Sequence, residues 1–217
     1  MDKTLEYVIK KFNLNTGLDS PIYLPSTRND LAQLFHELGY KIGAEVGVFN
    51  GAYSKILCEA IPDLKLYCID SWNVYEDLPE TKDEKYYKHY ISRIERGYDS
   101  AKSLLSEYSC EFIKKYSMEA VKDFARDSLD FVYIDANHLF DYVMEDIIEW
   151  SKIVKPGGIV SGHDYRCFKH KEVGFHISSA VNTYTSVHNI KPLFVLDKDK
   201  SSSWFFVKDF SNIGQDW

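Results

Sequence analysis

KIGAEVGVFNGAYSKIL, residues 41–57, is the stretch that decides the fold of this chain. Its first half is rich in apolar residues, as in a buried strand, and a helical pattern opens at Ala52. Two glycines, Gly47 and Gly51, lie between them and allow a tight turn. The stretch therefore predicts a strand, a glycine turn and a helix whose first free N–H groups face a ligand.

The kind of ligand is indicated by Glu45, which stands two residues before the first glycine. A carboxylate there would repel a pyrophosphate and would suit a ligand that carries an amino group. The spacing E-x-G-x-x-x-G also differs from the G-x-G-x-x-G pattern of dinucleotide-binding folds. We therefore expect Glu45, Gly47 and Gly51 to contact the ligand, with a plain strand–turn–helix unit as the alternative.

Length and composition limit the class of protein. The chain has 217 residues, of which 45% are apolar and 27% charged, and this is typical of one globular domain. A net charge of -7 argues against a nucleic-acid partner, because phosphate binding depends on clustered Lys and Arg. No apolar run reaches the ~18 residues of a membrane span, and the N-terminus lacks a signal-peptide pattern. We expect a cytoplasmic protein with no membrane partner.

A second acid follows the next predicted strand, Leu64–Asp70. Asp70 lies 23 positions after Gly47, close to the ~20-residue offset at which an acid in such folds meets the ribose hydroxyls of a nucleoside. A carboxylate at the end of the neighbouring strand accepts hydrogen bonds from two vicinal hydroxyls. The loop that begins with Ser71 and Trp72 is predicted to cover the ligand.

The third predicted strand, Cys110–Tyr116, is followed by a capped helix start. Ser117 and Met118 begin that helix and are predicted to lie at the rim of an adenine site. A simple helix cap is the alternative. The four cysteines of the chain show no C-x-x-C spacing, so we interpret them as reduced core residues.

Polar groups also end the two strands that follow. Leu129–Asp135 is an almost continuous apolar run, as a central parallel strand requires, and Asn137 and His138 come directly after it. Ile159–Asp164 ends in His163 and an acid. Open α/β sheets bind ligands at the carboxyl ends of their strands, so these groups are candidates for the chemistry of the site.

Strands and helices alternate until the last third of the chain, which predicts a doubly wound α/β sheet. The final strands, Lys191–Leu196 and Trp204–Val207, are separated by the polar turn DKDKSSS and read as an antiparallel hairpin. Residues 1–26 are punctuated by Gly and Pro and are expected to form an extension or lid. Residues 27–217 are expected to form a single domain.

In combination these motifs resemble the class I S-adenosylmethionine (SAM) dependent methyltransferases, specifically the small-molecule group with I-D-G-D-H-S-Y after the fourth strand and K-P-G-G…G-H-D-Y around the fifth. The matching segments are DSW at 70–72, SMEA at 117–120, IDANH at 134–138, KPGG at 155–158 and GHDY at 162–165. The resemblance covers about residues 30–208. It implies a Rossmann-like seven-stranded sheet in the order 3-2-1-4-5-7-6.

The resemblance implies methyl transfer from SAM to a small-molecule acceptor, at the oxygen of a hydroxyl in a sugar or other metabolite. His163, His138 and Asp135 are the candidate catalytic residues, because an imidazole suits proton removal at neutral pH. Asn137 departs from the family pattern, in which an acid at this place is the proposed general base of some relatives. The alternatives are an NAD(P)-dependent oxidoreductase on a similar sheet and a non-catalytic nucleoside-binding protein.

The resemblance also implies the remaining contacts. The predicted SAM-binding residues are Glu45, Gly47, Gly51, Asp70, Ser71, Trp72, Ser117, Met118 and Asp135. Some related O-methyltransferases hold a divalent metal at the places of Asp135 and Asp164, with His163 or Asn137 as a further ligand, and others use none. Such a donor set would suit Mg²⁺ or Mn²⁺. The Tyr-rich helix at 86–108 and the final hairpin are candidate surfaces for a homodimer.

Overall fold

A mixed sheet forms the centre of the protein in the computed structural model. The structure describes residues 2–15, 19–73, 84–167 and 171–208; for residues 84–90 and 171–174 it describes the backbone but not the side chains. Those residues hold eight strands: β1 (Ile22–Leu24), β2 (Ile42–Val46), β3 (Lys65–Asp70), β4 (Cys110–Lys114), β5 (Leu129–Ile134), β6 (Val154–Gly162), β7 (Phe194–Leu196) and β8 (Ser203–Val207). The helices are α1 (Lys3–Lys11), α2 (Arg28–Glu37), α3 (Ala52–Ala60), α4 (Glu84–Leu104), α5 (Ser117–Ala120), α6 (Phe140–Ile153) and α7 (Lys171–Val187).

The strands run in the order β1-β7-β8-β6-β5-β2-β3-β4. Neighbours from β6 to β4 are parallel, whereas β8 is antiparallel to both β6 and β7. The predicted order of seven strands is therefore confirmed, and so is the antiparallel pair at the C-terminal end. The doubly wound α/β class is confirmed with it.

The predicted number of strands was wrong by one, because β1 adds an eighth strand beside β7. It pairs in parallel over three residues, Ile22 with Phe194 through Leu24 with Leu196. Its sequence, IYL, lies between Pro21 and Pro25 and is too short to show an alternation of its own. A strand of this length depends on its neighbour, and that neighbour lies far away in the sequence.

The start of α2 is set by local hydrogen bonds. The Thr27 hydroxyl accepts from the Asp30 N–H at 3.3 Å, and the Asp30 carboxylate accepts from the Thr27 N–H at 2.7 Å, which is a capping box. Beyond it, α2 buries Leu31 and Phe35 against the sheet. The first residue of the helix, Arg28, is thereby held at a defined place in the fold.

Both faces of the sheet are covered, and strand alternation divides the core into two layers. On β5, Phe131 and Tyr133 face the layer that holds Leu31 of α2 and Leu57 of α3. The residue between them, Val132, faces the layer that contains α6 and α7. No described helix combines the length and apolar character that crossing a membrane would need.

The described part of residues 1–26 belongs to the body of the fold. The Thr4 hydroxyl of α1 donates to the Gly157 carbonyl at 2.7 Å, near the amino-terminal end of β6. The ring hydroxyl of Tyr40, just before β2, donates to the same carbonyl at 2.7 Å. Helix α1 therefore lies at the end of the sheet opposite the carboxyl ends of the parallel strands, which is not where a lid over those ends would sit. The domain boundary at residue 26 stays a prediction.

Candidate active site

A cavity of about 310 Å³ opens at the carboxyl ends of β2, β3 and β5. These strands are neighbours in the sheet, so the residues that follow them meet at one edge. The size is that of a small-molecule site. Its wall includes six of the predicted ligand contacts: Gly47, Asp70, Ser71, Trp72, Ser117 and Asp135. The sequence patterns therefore identified the strand ends that surround one cavity.

The turn after β2 requires glycine at position 47. Gly47 has a φ of +96°, and a Cβ added there would lie 2.0 Å from the carbonyl oxygen of Asp135. No side chain fits at that distance, so Gly47 allows the turn to pass directly against the end of β5. The N–H of Gly47 donates to Ile69 at 2.8 Å, which ties the turn to β3 as well.

Gly51 has a different role from the predicted one. It is the N-cap of α3 with a φ of +79°, and an added Cβ would lie 3.1 Å from the Cα of Ala101 in α4. It is not part of the cavity wall. Gly51 therefore serves the left-handed cap and the close packing of α4, and the ligand contact predicted for it is not supported by its position.

Asp70 lies on the cavity wall and is held by backbone donors. The Phe49 N–H donates to one carboxylate oxygen at 2.8 Å, and the Trp72 N–H donates to the other at 2.7 Å. Burial raises the pKa of Asp70, although these N–H groups lower it in part. Each oxygen has a further lone pair, so the carboxylate can still accept from hydroxyls in the cavity.

The wall beside Asp70 is aromatic. The Trp72 ring is buried, and its Nε1–H donates to the Phe49 carbonyl at 2.8 Å. Tyr98 of α4 packs against it with ring centroids 4.7 Å apart. Ser71 also lines the cavity. The rest of the loop predicted as a cover, residues 74–82, lies outside the described residues.

Ser117 begins α5 on the opposite side of the cavity. Its hydroxyl donates to the buried carboxyl of Asp146 and accepts from the Trp150 Nε1–H at 2.8 Å. Burial raises the pKa of Asp146 to about 7, against the effect of the Ser117 hydroxyl. Met118, predicted at the same rim, instead packs against the core layer of α6 and α7. No sequence pattern marks Asp146, because an acid on a helix usually faces solvent.

The structure places Glu45 elsewhere than predicted. Its side chain is 2% exposed, accepts a hydrogen bond from the Ser54 hydroxyl of α3 and does not reach the cavity wall. Burial raises its pKa to about 8, so the carboxyl is largely protonated at neutral pH. The glycine turn folds α3 back over β2, and this covers the acid. Direct contact between Glu45 and an amino group is therefore not supported.

Four polar residues meet beyond the ends of β5 and β6. The His138 Nε2 lies 3.5 Å from an oxygen of Asp135 and 3.4 Å from one of Asp164. The His163 Nδ1 lies 3.5 Å from the other oxygen of Asp135 and 3.4 Å from the other oxygen of Asp164. Two carboxylates thus face the same two imidazoles. We refer to these residues as the Asp–His cluster.

The charges of the cluster shift its titration. Burial lowers the pKa of each histidine, but Asp135 and Asp164 outweigh it, and both histidine pKa values are raised. Burial raises the pKa of Asp164, but His163 and His138 bring it down to about 2. His138 is the more accessible ring, with 39% of its side chain exposed against 15% for His163, and it lines the cavity.

Three members of the cluster are arranged as metal ligands could be. Asp135, His138 and Asp164 each offer one ligand atom, and these atoms lie within 4.8 Å of one another. His138 thus takes the place predicted for His163. Asn137, the other predicted ligand, uses its Oδ1 to accept from the Leu139 N–H at 2.9 Å, just before α6. The Oδ1 that could have bound a metal is therefore engaged at the helix start.

Sequence reasoning also missed Arg28, Arg93 and Lys115. Arg93 and Lys115 lie on the cavity wall. Arg28, at the start of α2, has Asp135 and Tyr133 close enough to raise its pKa against the effect of burial. No motif marks Arg28 or Arg93, which come from helices α2 and α4, whereas Lys115 directly follows β4, two residues before Ser117.

A family model described as "Methyltransferase domain" matches residues 44–165, which is more than half of the chain. A comparison with curated proteins finds no match.

Several solved structures share the fold. One is an O-methyltransferase from Bacillus cereus in complex with SAH, with a TM-score of 0.53 and 16% identity over 96% of this chain and 92% of that one. Another is the O-methyltransferase TomG from Streptomyces achromogenes in complex with SAM, with a TM-score of 0.56 and 17% identity over 96% and 91%. A third, from Staphylococcus aureus, is described as a putative caffeoyl-CoA O-methyltransferase. It has a TM-score of 0.57 and 14% identity over 94% of this chain and 91% of that one.

Proposed function

Because this chain belongs to the methyltransferase domain family, we propose that it transfers a methyl group from SAM to a hydroxyl oxygen of a small molecule, a sugar or another hydroxylated metabolite. The observation that carries the proposal is the lining of the cavity. Asp70 and Trp72 line it at the end of β3, and Asp135 and His138 line it after the end of β5. A nucleoside would occupy the first side, and the reacting groups would meet at the second.

The nucleoside half of the site rests on hydrogen-bonding capacity. Asp70 keeps lone pairs for two ribose hydroxyls while Phe49 and Trp72 hold it in place. Gly47, on the cavity wall, offers backbone rather than a side chain to the cofactor tail. Ser117 stands where the adenine edge would lie, and its hydroxyl is oriented by Asp146 and Trp150.

The reacting half rests on the Asp–His cluster. When bound, SAM supplies an electrophilic methyl group. The residues of the chain align the acceptor, exclude water and take the proton of the attacking hydroxyl. His138, on the cavity wall, and His163, behind it, are the candidate bases. Asp135 and Asp164 orient both rings and stabilise the imidazolium that forms.

The same cluster fits a divalent metal. Asp135, His138 and Asp164 present two carboxylates and an imidazole within 4.8 Å of one another, a donor set that suits Mn²⁺ and also Mg²⁺ when water completes the shell. We propose that these three residues would hold the ion. Such an ion supplies positive charge that lowers the pKa of a nearby hydroxyl. His163 would then remain free of the metal and available for the proton.

Ligand binding tests the proposed function. Calorimetry should show that the protein binds SAM and S-adenosylhomocysteine (SAH) but neither NAD nor NADP. At ~100 times the dissociation constant the ligand should stabilise the fold by about 2.7 kcal/mol. Binding of NAD without SAH would favour the oxidoreductase alternative. A screen of hydroxylated acceptors with labelled SAM then tests catalysis, and SAH binding with no transfer to any acceptor would favour the non-catalytic alternative.

Three further expectations stay predictions. They are a cytoplasmic location, assembly as a homodimer and the absence of a nucleic-acid partner. The Tyr-rich face proposed for the dimer includes residues 86 and 90, whose side chains lie outside the described part of the chain.

A further inference from the structure

Arg28 does not line the cavity itself, but ring contacts connect it to the Asp–His cluster, and its guanidinium has no ion-pair partner of its own among the described residues. No carboxylate in the described part of the chain lies within the 4.0 Å ion-pair distance of its guanidinium. The residue is only partly exposed to solvent. A guanidinium carries five N–H donors in a planar fork, and its partial burial makes a matching acceptor valuable.

The position of Arg28 is fixed by neighbours on both sides. Its backbone N–H donates to the Asp199 carboxylate at 2.9 Å, and its carbonyl accepts from the Tyr53 hydroxyl at 2.9 Å. The guanidinium carbon lies 5.1 Å from the centroid of the Tyr53 ring. A cation held over an aromatic ring in this way is prepared for binding before a ligand arrives.

The surroundings of Arg28 connect it to the reacting half of the cavity. Tyr53 belongs to α3, the helix that follows the glycine turn, and its ring packs 4.3 Å from that of Tyr133. Tyr133 in turn lies 6.4 Å from the ring of His163. Arg28 is also close enough to Asp135 for the two charges to interact. Two aromatic rings, Tyr53 and Tyr133, thus connect Arg28 to the Asp–His cluster.

Asp135 does not use up the donors of Arg28. Each of its oxygens already faces an imidazole, one at 3.5 Å from His138 and the other at 3.5 Å from His163. The planar fork of Arg28 is suited to a second, bidentate carboxylate. We propose that Arg28 binds a carboxylate of a ligand in this site.

Two ligands could supply that carboxylate, and the assignment rests on the proposed function. One is the amino-acid end of SAM, which would extend past Gly47. The other is an acidic group on the acceptor. The chemistry at Arg28 is the same in both cases, so the experiment must separate the sources.

The test compares SAH with 5′-methylthioadenosine, which shares the nucleoside and sulfur but lacks the amino-acid end. Calorimetry on the full chain should show that Arg28→Ala weakens SAH binding roughly tenfold to 100-fold and leaves methylthioadenosine within about threefold. That result assigns the cofactor carboxylate. The matched control is Arg166→Ala, which removes an arginine that also lies over a tyrosine, 4.1 Å from the Tyr23 ring, but has Asp197 at 3.3 Å.

The second source is tested with SAH already bound. Sodium succinate, compared with sodium chloride at equal ionic strength, should raise the melting temperature of the unsubstituted protein and not that of Arg28→Ala if the acceptor carries the acid. Arg28→Lys keeps the charge without the fork and serves if the alanine variant does not fold. Its affinity for the responding ligand, SAH or succinate, should be about threefold to tenfold lower than that of the unsubstituted protein.

The remaining outcomes overturn the proposal. Equal losses of SAH and methylthioadenosine would mean that Arg28 only shapes the site. No change with SAH, methylthioadenosine or succinate would mean that it binds no carboxylate. Failure of the unsubstituted protein to bind SAH would remove the proposed function, and the Arg28 assignment with it, whereas normal SAH binding by the variant together with an unchanged response to succinate removes the assignment alone.

Discussion

The two halves of the cavity hold their carboxylates in different ways. Asp70 is held by the N–H groups of Phe49 and Trp72 at 2.8 and 2.7 Å, and backbone amides do not titrate near neutral pH. Asp135 and Asp164 instead face the two imidazoles of the cluster at 3.4 to 3.5 Å. Backbone donors fix a charge for recognition, whereas imidazoles can give and take protons. This difference fits the proposed function, in which the first half binds the cofactor and the second half carries out the reaction.

The largest expected effect concerns the reacting half. His138→Ala or His163→Ala should lower kcat about 100-fold or more, because a general base contributes that much. The affinity for SAH should change less than about threefold. Steady-state kinetics with labelled SAM and an acceptor from the screen give both values. His36→Ala, at an exposed site on α2, is the control, and unchanged kcat in both cluster variants would break the division into two halves.

The metal should act on the same half. Mn²⁺ at ~100 times its dissociation constant should raise the melting temperature by about 5 °C or more, and EDTA should reverse the shift. Asp164→Ala should abolish it, because that residue belongs to the three-ligand group. Asp70→Ala, in the binding half, should keep it. A melting temperature that does not respond to Mn²⁺ in the unsubstituted protein would remove the metal from the proposal.

Asp70→Ala should sharpen the comparison from the binding side. It removes charge-assisted acceptors, so SAH should bind about tenfold to 100-fold more weakly. At saturating SAM, kcat should stay within a few-fold, since the cluster is intact. Calorimetry measures the affinity, and Glu107→Ala, which removes an exposed acid, controls for net charge. A loss of kcat at saturating SAM with normal affinity would assign Asp70 to the reaction instead.

A separate effect is on the stability of the fold and concerns Glu45. Its pKa is raised from the ordinary 4.5 to about 8 in the folded state, so the folded protein keeps a proton that the unfolded chain releases between these values. The free energy of unfolding should therefore fall as pH rises through this window, by up to about 1.4 kcal/mol per pH unit from this group, and level off above it.

Glu45→Gln should remove the contribution of Glu45 to the pH dependence of the free energy of unfolding. Urea unfolding at pH 5, 6, 7 and 8 measures this free energy for the variant and for the unsubstituted protein. Asp146 has a raised pKa of about 7 and contributes a slope of the same sign, but it is present in both, so the difference between the two proteins isolates Glu45. Parallel pH profiles would show that Glu45 is ionised in the folded protein and that its burial is incomplete.

Much of the site followed from where the strands end. Asp70, Asp135 and Asp164 were recognised because apolar runs stop at each of them, and the parallel neighbours β3, β2, β5 and β6 bring those ends together. Glu45 shows the limit of this reasoning. Its place before the glycine turn was clear, but whether it faced the cavity depended on how α3 folds back, and Ser54 covers it.

Periodicity and the polar residues after each strand were enough to establish a doubly wound sheet and the edge on which its ligands bind, because these are local properties of the backbone. Only the tertiary structure decided the three-residue β1, the burial of Asp146 against Ser117 and the position of Arg28 over the Tyr53 ring. Each joins segments that are far apart in the chain, and such contacts depend on how whole helices and strands pack rather than on any pattern within one of them.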